Sequence, residues 1–289
     1  MNIIKIIFIL MLSVPLMAQD YYETKELNLS GSGIDLLEIE CGAGFLKITG
    51  IDGKNSIDVI AEIEIENASD EDAKRIIERH MELSLKKRGG AAVLTSRFES
   101  GRSFFSMFRN LNVRVNLTIE IPKKIELNIN DGSGWIKINS VEGDVFVDDG
   151  SGEIEISDII GNVEIEDGSG AIDLSDISGR IILDDGSGNM DIVNSKGNIK
   201  IVDGSGSIRI EEIEGDVNIK DGSGSMTVYA INGSIKIYDG TGSINIDSVE
   251  KDVDIREAGS GGVHIRGVKG HVSRPERDRD RDDDDEWYD

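Results

Sequence analysis

The tetrapeptide Asp-Gly-Ser-Gly starts at Asp131 and recurs every 18 residues, at Asp149, Asp167, Asp185, Asp203 and Asp221, then as Asp-Gly-Thr-Gly at Asp239. A slipped copy, Ala258-Gly-Ser-Gly, closes the series. A fixed period of this kind marks a repeat architecture, in which each unit buries its apolar edge only against its neighbours.

In the unit Asp149 to Glu166, apolar residues stand at Ile154 and Ile156, then Ile159, then Val163 and Ile165. The next unit repeats them as Ile172, Leu174, Ile177, Ile181 and Leu183. A glycine follows the third column in nearly every unit, as at Gly143, Gly161, Gly179, Gly197 and Gly215, with Lys251 the exception. Eighteen residues also make five α-helical turns, so the period alone leaves a helix open. The alternation Ile-x-Ile and Val-x-Ile has strand spacing, and the residues are mostly β-branched. Repeated glycines would cost a helix roughly 1 kcal/mol each. The fold class is therefore all-β, a β-solenoid of 18-residue coils with two short strands per coil, for example Glu153–Ser157 and Asn162–Glu166. About eight coils stacked at ~4.8 Å give a length near ~40 Å.

The pattern also reaches backward. Gly42-Ala-Gly44, Leu46, Ile48, Ile51, Gly53, Ile57 and Val59 copy the unit with a two-residue insertion. Leu37 and Ile39 read as the end of a preceding coil, and Leu127 and Ile129 fill the last two columns before Asp131. Residues 62–122 interrupt the pattern as a small α+β insertion. In it, Ser69-Asp-Glu-Asp-Ala opens an N-capped helix to about Met81. Glu82–Leu85 and Ala92–Phe98 flank Gly89-Gly90 as a hairpin. Val113–Ile121 is a further strand, and Glu99–Asn110 a loop.

The resulting organisation has five parts. Residues 1–19 are a signal peptide, with Lys5 ahead of an apolar run too short for a comfortable span; a retained anchor is the alternative. Residues 20–61 carry N-terminal strands and the first coils, 62–122 the insertion and 123–273 the solenoid repeats. Residues 274–289 form a charged tail with no apolar period, expected to be disordered. The mature chain is therefore expected outside the cytoplasm, in the periplasm, on the outer surface or secreted. No membrane insertion is expected after signal cleavage.

The leader, the run from Val115 to Asn130 (V-N-L-T-I-E-I-P-K-K-I-E-L-N-I-N) and the serial G-S-G-x-I-x-I units resemble one bacterial family. It is the putative-adhesin family of β-strand-repeat domains of unknown function. The resemblance covers about residues 35–272. It implies a β-solenoid in an extracytoplasmic or surface location, and it transfers no catalytic residues.

The net charge of −25 argues against a nucleic-acid partner. Cys41, the lone cysteine, excludes an internal disulfide and a cysteine-based zinc site. It reads as a small packed residue rather than a nucleophile, because no histidine lies near it in sequence. His80, His264 and His271 make no metal-ligand spacing.

The sharpest candidate is the row Asp131, Asp149, Asp167, Asp185, Asp203, Asp221 and Asp239. Neighbours ~5 Å apart repel by ~0.8 kcal/mol in water and by about 3 at an effective dielectric of 20. The structural reading is a series of Asx-turns in which each carboxylate accepts its own backbone N–H groups. The functional reading is a calcium ladder. Outward positions carry mixed charge and few aromatics, and Trp135 and Phe146 are expected to pack against the insertion.

No catalytic, cofactor-binding or metal residues are assigned. The expected function is a non-catalytic secreted or surface solenoid, an adhesin or envelope scaffold, with a protein or glycan of the envelope or of another cell surface as partner. Two alternatives are a calcium-stabilised repeat protein and a polysaccharide-processing enzyme on a β-helix.

Overall fold

The computed structural model describes residues 20–98 and 111–275. The leader, the expected loop 99–110 and the tail from residue 276 lie outside the described residues. The N-terminal part contains β1 (Tyr21–Ser30), β2 (Leu36–Glu40), β3 (Ala43–Ile51), β4 (Ser56–Glu66) and α1 (Asp70–His80). It continues with β5 (Met81–Arg88), β6 (Ala91–Phe98), β7 (Asn112–Pro122) and β8 (Glu126–Asp131). From there long and short strands alternate. They are β9 (Ser133–Val141), β10 (Val145–Asp149), β11 (Gly152–Ile160), β12 (Val163–Asp167), β13 (Gly170–Ser178), β14 (Ile181–Asp185), β15 (Gly188–Lys196) and β16 (Ile199–Asp203). The series ends with β17 (Gly206–Glu214), β18 (Val217–Asp221), β19 (Gly224–Ile231), β20 (Ile235–Asp239), β21 (Gly242–Val249), β22 (Val253–Glu257), β23 (Val263–Val268) and β24 (Val272–Ser273).

From β9 onward the long strands stack in parallel within one sheet and the short strands within a second, and each sheet holds 12 strands among the described residues. Pairing is in register, one repeat on the next: Ile154 meets Ile172 and Ile156 meets Leu174, while Val163 meets Ile181 and Ile165 meets Leu183. The five expected apolar columns face the space between the sheets and are almost wholly buried. This confirms the β-solenoid of about eight coils. The third column contains one odd member, Ser195, which is buried and donates through Oγ to the Val193 carbonyl at 3.1 Å.

The coil departs in detail from the expected strand–bend–strand. The first strand runs on through the bend, as in β11, because one residue in it adopts a left-handed conformation. Asp158 has φ 54° and is repeated at Asp176, Asn194, Glu212 and Ala230, the last at φ 56°. The kink lets two successive side chains point outward before the third apolar column turns in. Asp and Asn tolerate this region, whereas a Cβ-bearing Ala gains nothing from it. Ala230→Gly should therefore stabilise the fold by about 0.5–1 kcal/mol. A thermal melt checks this, and a lowered melting temperature would contradict it.

The slipped last repeat is absorbed by a bulge. Ile237 pairs with Ile255 but Tyr238 with Glu257, so Arg256 is the additional residue.

Two expectations about the first coils are corrected. Leu46 and Ile48 do stack on Ile136 and Ile138. Ile57 and Val59, however, do not cross to the second sheet. Gly53 has φ 70°, the chain reverses there, and β4 returns antiparallel in the first sheet between β1 and β7. Ile51, expected in the third column, is 37% exposed as a result. Leu37 and Ile39 instead supply the second-sheet positions, on Leu127 and Ile129.

The 62–122 segment contributes strands to both sheets. β7 pairs parallel with β3, and β6 pairs parallel with β2 while forming the expected hairpin with β5. α1 starts at Ser69, whose Oγ accepts from the Asp72 N–H at 3.2 Å. The helix joins the ends of the two sheets and turns Ala73, Ile76 and Ile77 into the shared core. It thus covers the apolar interior at the N-terminal end, as a terminal unit of a stacked array requires.

Candidate functional site

The short strands from β8 to β20 each end in the Asp of the turn, and strand alternation decides where that Asp points. In β12, Val163, Ile165 and Asp167 share one face, so the carboxylate faces inward with the apolar columns. The expected row along the edge is real, since Asp149 pairs with Asp167 and Asp167 with Asp185. It is buried rather than solvated, with Asp149 only 2% exposed. The turn reading is met directly. Oδ1 of Asp167, Asp185 and Asp203 each accepts the backbone N–H two residues on at 3.1 Å. In these three residues Oδ2 is buried and has no hydrogen-bond partner among the described residues.

A carboxylate deprived of water favours its protonated form. Burial pushes Asp149 up to about 6, with Asp131 and Asp167 adding to the effect. Burial does the same at Asp185 and at Asp203, both raised to about 6 with neighbouring carboxylates contributing. Asp131, Asp167, Asp221 and Asp239 are raised for the same leading reason. The column is an internal row of acids in which Asp131, Asp167, Asp185, Asp203 and Asp221 accept N–H groups of their own turns, while both oxygens of Asp149 and Asp239 are buried without a hydrogen-bond partner among the described residues. Among the described residues no group of three or more His, Cys, Asp or Glu side chains is placed to hold a metal ion.

Cys41 heads this row, because Cys41-Gly42-Ala43-Gly44 occupies the Asp-Gly-Ser-Gly position of the preceding coil and the Cys41 N–H donates to the Asn130 carbonyl at 3.0 Å. Burial, and then Asp131, push its thiol well above the ordinary range, so it stays protonated. Low nucleophilicity follows, in keeping with a packed residue.

A second ladder escaped the sequence reading. Where the residue after the glycine of a bend is Asp or Asn, its side chain accepts the backbone N–H of its counterpart one coil later. Asp144 accepts from Asn162 at 2.8 Å, Asn162 from Arg180 at 3.0 Å and Asp216 from Ser234 at 2.8 Å. The signal was available as a run of Asn and Asp directly after glycine.

Among the described residues, the outward faces carry the more varied chemistry. Trp135 meets Phe45 edge-on at 6.4 Å, with Lys137 Nζ 5.7 Å above its ring. Its neighbour is thus the first coil, although Asn112, Arg114 and Asn116 of the inserted strand β7 line the same groove. Phe146 is a correction: it sits on the outer face of the second sheet between Asn128 and Glu164. Of the histidines, His80 ends α1, His264 lies on β23, and the His271 N–H donates to Asp252 Oδ1 at 2.8 Å. At the C-terminal end of the first sheet, Tyr229 and Asp247 stand in register beside Glu211 and Arg266 around an open groove of about 690 Å³.

No curated protein matches the chain. Among solved structures, it is similar to a "Putative lipid binding protein" from Parabacteroides distasonis ATCC 8503, at 15% identity and TM-score 0.45, over 88% of this chain and 97% of that one. It is also similar to a "putative cell adhesion protein" from Clostridium sporogenes ATCC 15579, at 17% identity and TM-score 0.30, over 86% and 100% of the two chains. A "putative adhesin" from Bacteroides fragilis NCTC 9343 is 15% identical with TM-score 0.28, over 86% and 96%. The family described as Toastrack DUF4097 matches residues 53–266, the span that holds the in-register coils, the buried acid row and the glycine turns. The chain belongs to the Toastrack DUF4097 family.

Proposed function

We propose that this protein is a non-catalytic, extracytoplasmic β-solenoid that serves at the cell surface as an adhesin or envelope scaffold. The observation that carries this is regularity. One column pattern repeats in register from β9 to β21 and produces a rigid rod, and chemical variety is confined to its outer faces. A catalytic centre is expected to break the pattern around a nucleophile or an acid–base pair. The one cysteine is instead held protonated, and the acid row is enclosed. The sequence of the N-terminal 19 residues reads as the export signal that this proposal needs. Among the described residues no helix is long and apolar enough to cross a membrane.

The test uses intact cells. External protease should remove the protein without lysing the cells, and deletion of its gene should reduce attachment to neighbouring cells or to matrix-coated surfaces. Unprocessed protein retained in the cytosol would overturn the extracytoplasmic role. Protection from protease in intact cells would overturn the adhesin role.

A further inference from the structure

The outer face of the first sheet changes character at its C-terminal end. The column between the first two apolar columns is charged at Lys137, Glu155, Asp173, Asp191 and Arg209, then becomes uncharged at Thr227 and Asn245 and ends at His264. The adjacent column is uncharged at Asn139, Ser157, Ser175 and Val193, then reads Glu211, Tyr229, Asp247 and Arg266. This local break coincides with the 690 Å³ groove and with the coil that carries the additional residue.

Tyr229 lies in the middle of the groove, 44% exposed, with no hydrogen bond to its hydroxyl among the described residues. An exposed aromatic face with a free hydroxyl offers apolar stacking and a polar handle together. Thr227, Asn245 and His264 sit one column away, where their side chains can bond to ligand hydroxyls. The carboxylates are already engaged: Glu211 with Arg209 at 2.8 Å and Asp247 with Arg266 at 2.9 Å. Glu211, Asp247, Arg266 and Arg274 make the lining's formal charge balanced, unlike the strongly acidic chain as a whole. An anionic or cationic ligand would meet an opposing charge for every complementary one. A neutral ring with one apolar face and several hydroxyls matches the stacking surface and the fixed polar groups.

We propose that the groove around Tyr229 binds a neutral polysaccharide chain. The inference rests on the surface-adhesin reading, for which it names the partner class. The groove is open to solvent and not an enclosed cavity, so it accommodates an internal segment of a chain.

The test presents the full mature protein to immobilised mannan, maltohexaose and cellohexaose, with hyaluronan and polygalacturonate as acidic probes. Binding to at least one neutral probe is expected. Tyr229→Ala should weaken it about tenfold, corresponding to one lost stacking contact. Its melting curve should be unchanged, and Tyr22→Ala, at an exposed aromatic on the far end, should bind as wild type. Binding to no neutral probe, preference for the acidic probes, or equal binding by Tyr229→Ala would overturn the proposal. If gene deletion reduces cell attachment while soluble neutral oligosaccharides fail to compete, the glycan inference falls and the adhesin reading stands.

Discussion

The melting temperature is expected to be higher at about pH 4.5 than at about pH 7.5, the reverse of ordinary acid lability. The sign follows from the buried acid row. Asp149, Asp185 and Asp203 titrate at about 6 in the folded protein against an ordinary 3.8. The folded state therefore holds more protons than the unfolded chain between those values, and stability must fall as pH rises through that window. A shift of this size corresponds to roughly 3 kcal/mol for one group. The stabilisation is complete below about pH 4 and lost above about pH 6. Protonation also lets one acid donate to the unpartnered oxygen of the next, one coil away. Asp185→Asn separates this effect from the general relief of negative charge. The amide keeps the acceptor for the Ser187 N–H and presents a permanent donor to its neighbours. It should raise stability at pH 7.5 by about 2–3 kcal/mol and have little effect at pH 4.5. Calorimetry at the two pH values decides the matter. A higher melting temperature at neutral pH, or a destabilised Asp185→Asn at pH 7.5, would remove the argument.

The second large effect concerns a single methyl group. A Cβ on Gly170 would lie 1.5 Å from the carbonyl oxygen of Gly152 in the preceding coil. The contact is backbone against backbone, so no side chain can rotate away. Relief requires the coils to separate, which breaks bonds such as Gly152 N–H to the Ser169 carbonyl and Gly168 N–H to the Asp149 carbonyl, both at 3.0 Å. Gly170→Ala should cost at least about 4 kcal/mol, in the range reserved for severe strain. Gly90→Ala is the control, since no atom lies within 4 Å of a Cβ there. Urea denaturation of both variants should give a much lower midpoint for the first only. Similar midpoints would mean that the coils are not packed this closely.

The chemistry of this turn shows which features were legible in the sequence and which were not. The five apolar columns, the parallel stacking, the N-capped helix and the β5–β6 hairpin follow from local periodicity and turn signals, and each is found. Glycine in a turn is ordinarily explained by its conformational freedom, yet closeness to the neighbouring coil constrains Gly170 at least as strongly. That contact lies between residues 18 apart, and a propensity argument is blind to it. The same holds for Asp167. Its Asx-turn is local and was foreseen. Its burial depends on strand alternation carrying one position further than expected, which only the second strand's exact end decides. The route of β4 was misjudged because Ile57 and Val59 satisfy the column pattern equally well in either sheet. A positive φ at Gly53 and the later arrival of β7 select the sheet. Around Tyr229 the residues were visible as names, but their convergence depends on register across four coils.

One property of the in-register ladder reaches beyond the fold itself. Each coil offers the next an interface of the same shape, so removing a whole module such as residues 167–184 would bring Asp185 against Asp149 with every column rejoined. Reach is then set in increments of one strand spacing, ~4.8 Å. The helical cover at one tip and the aromatic groove at the other need not change when it does. A lineage can lengthen or shorten the distance between the two tips by gene duplication or loss alone, without redesigning either.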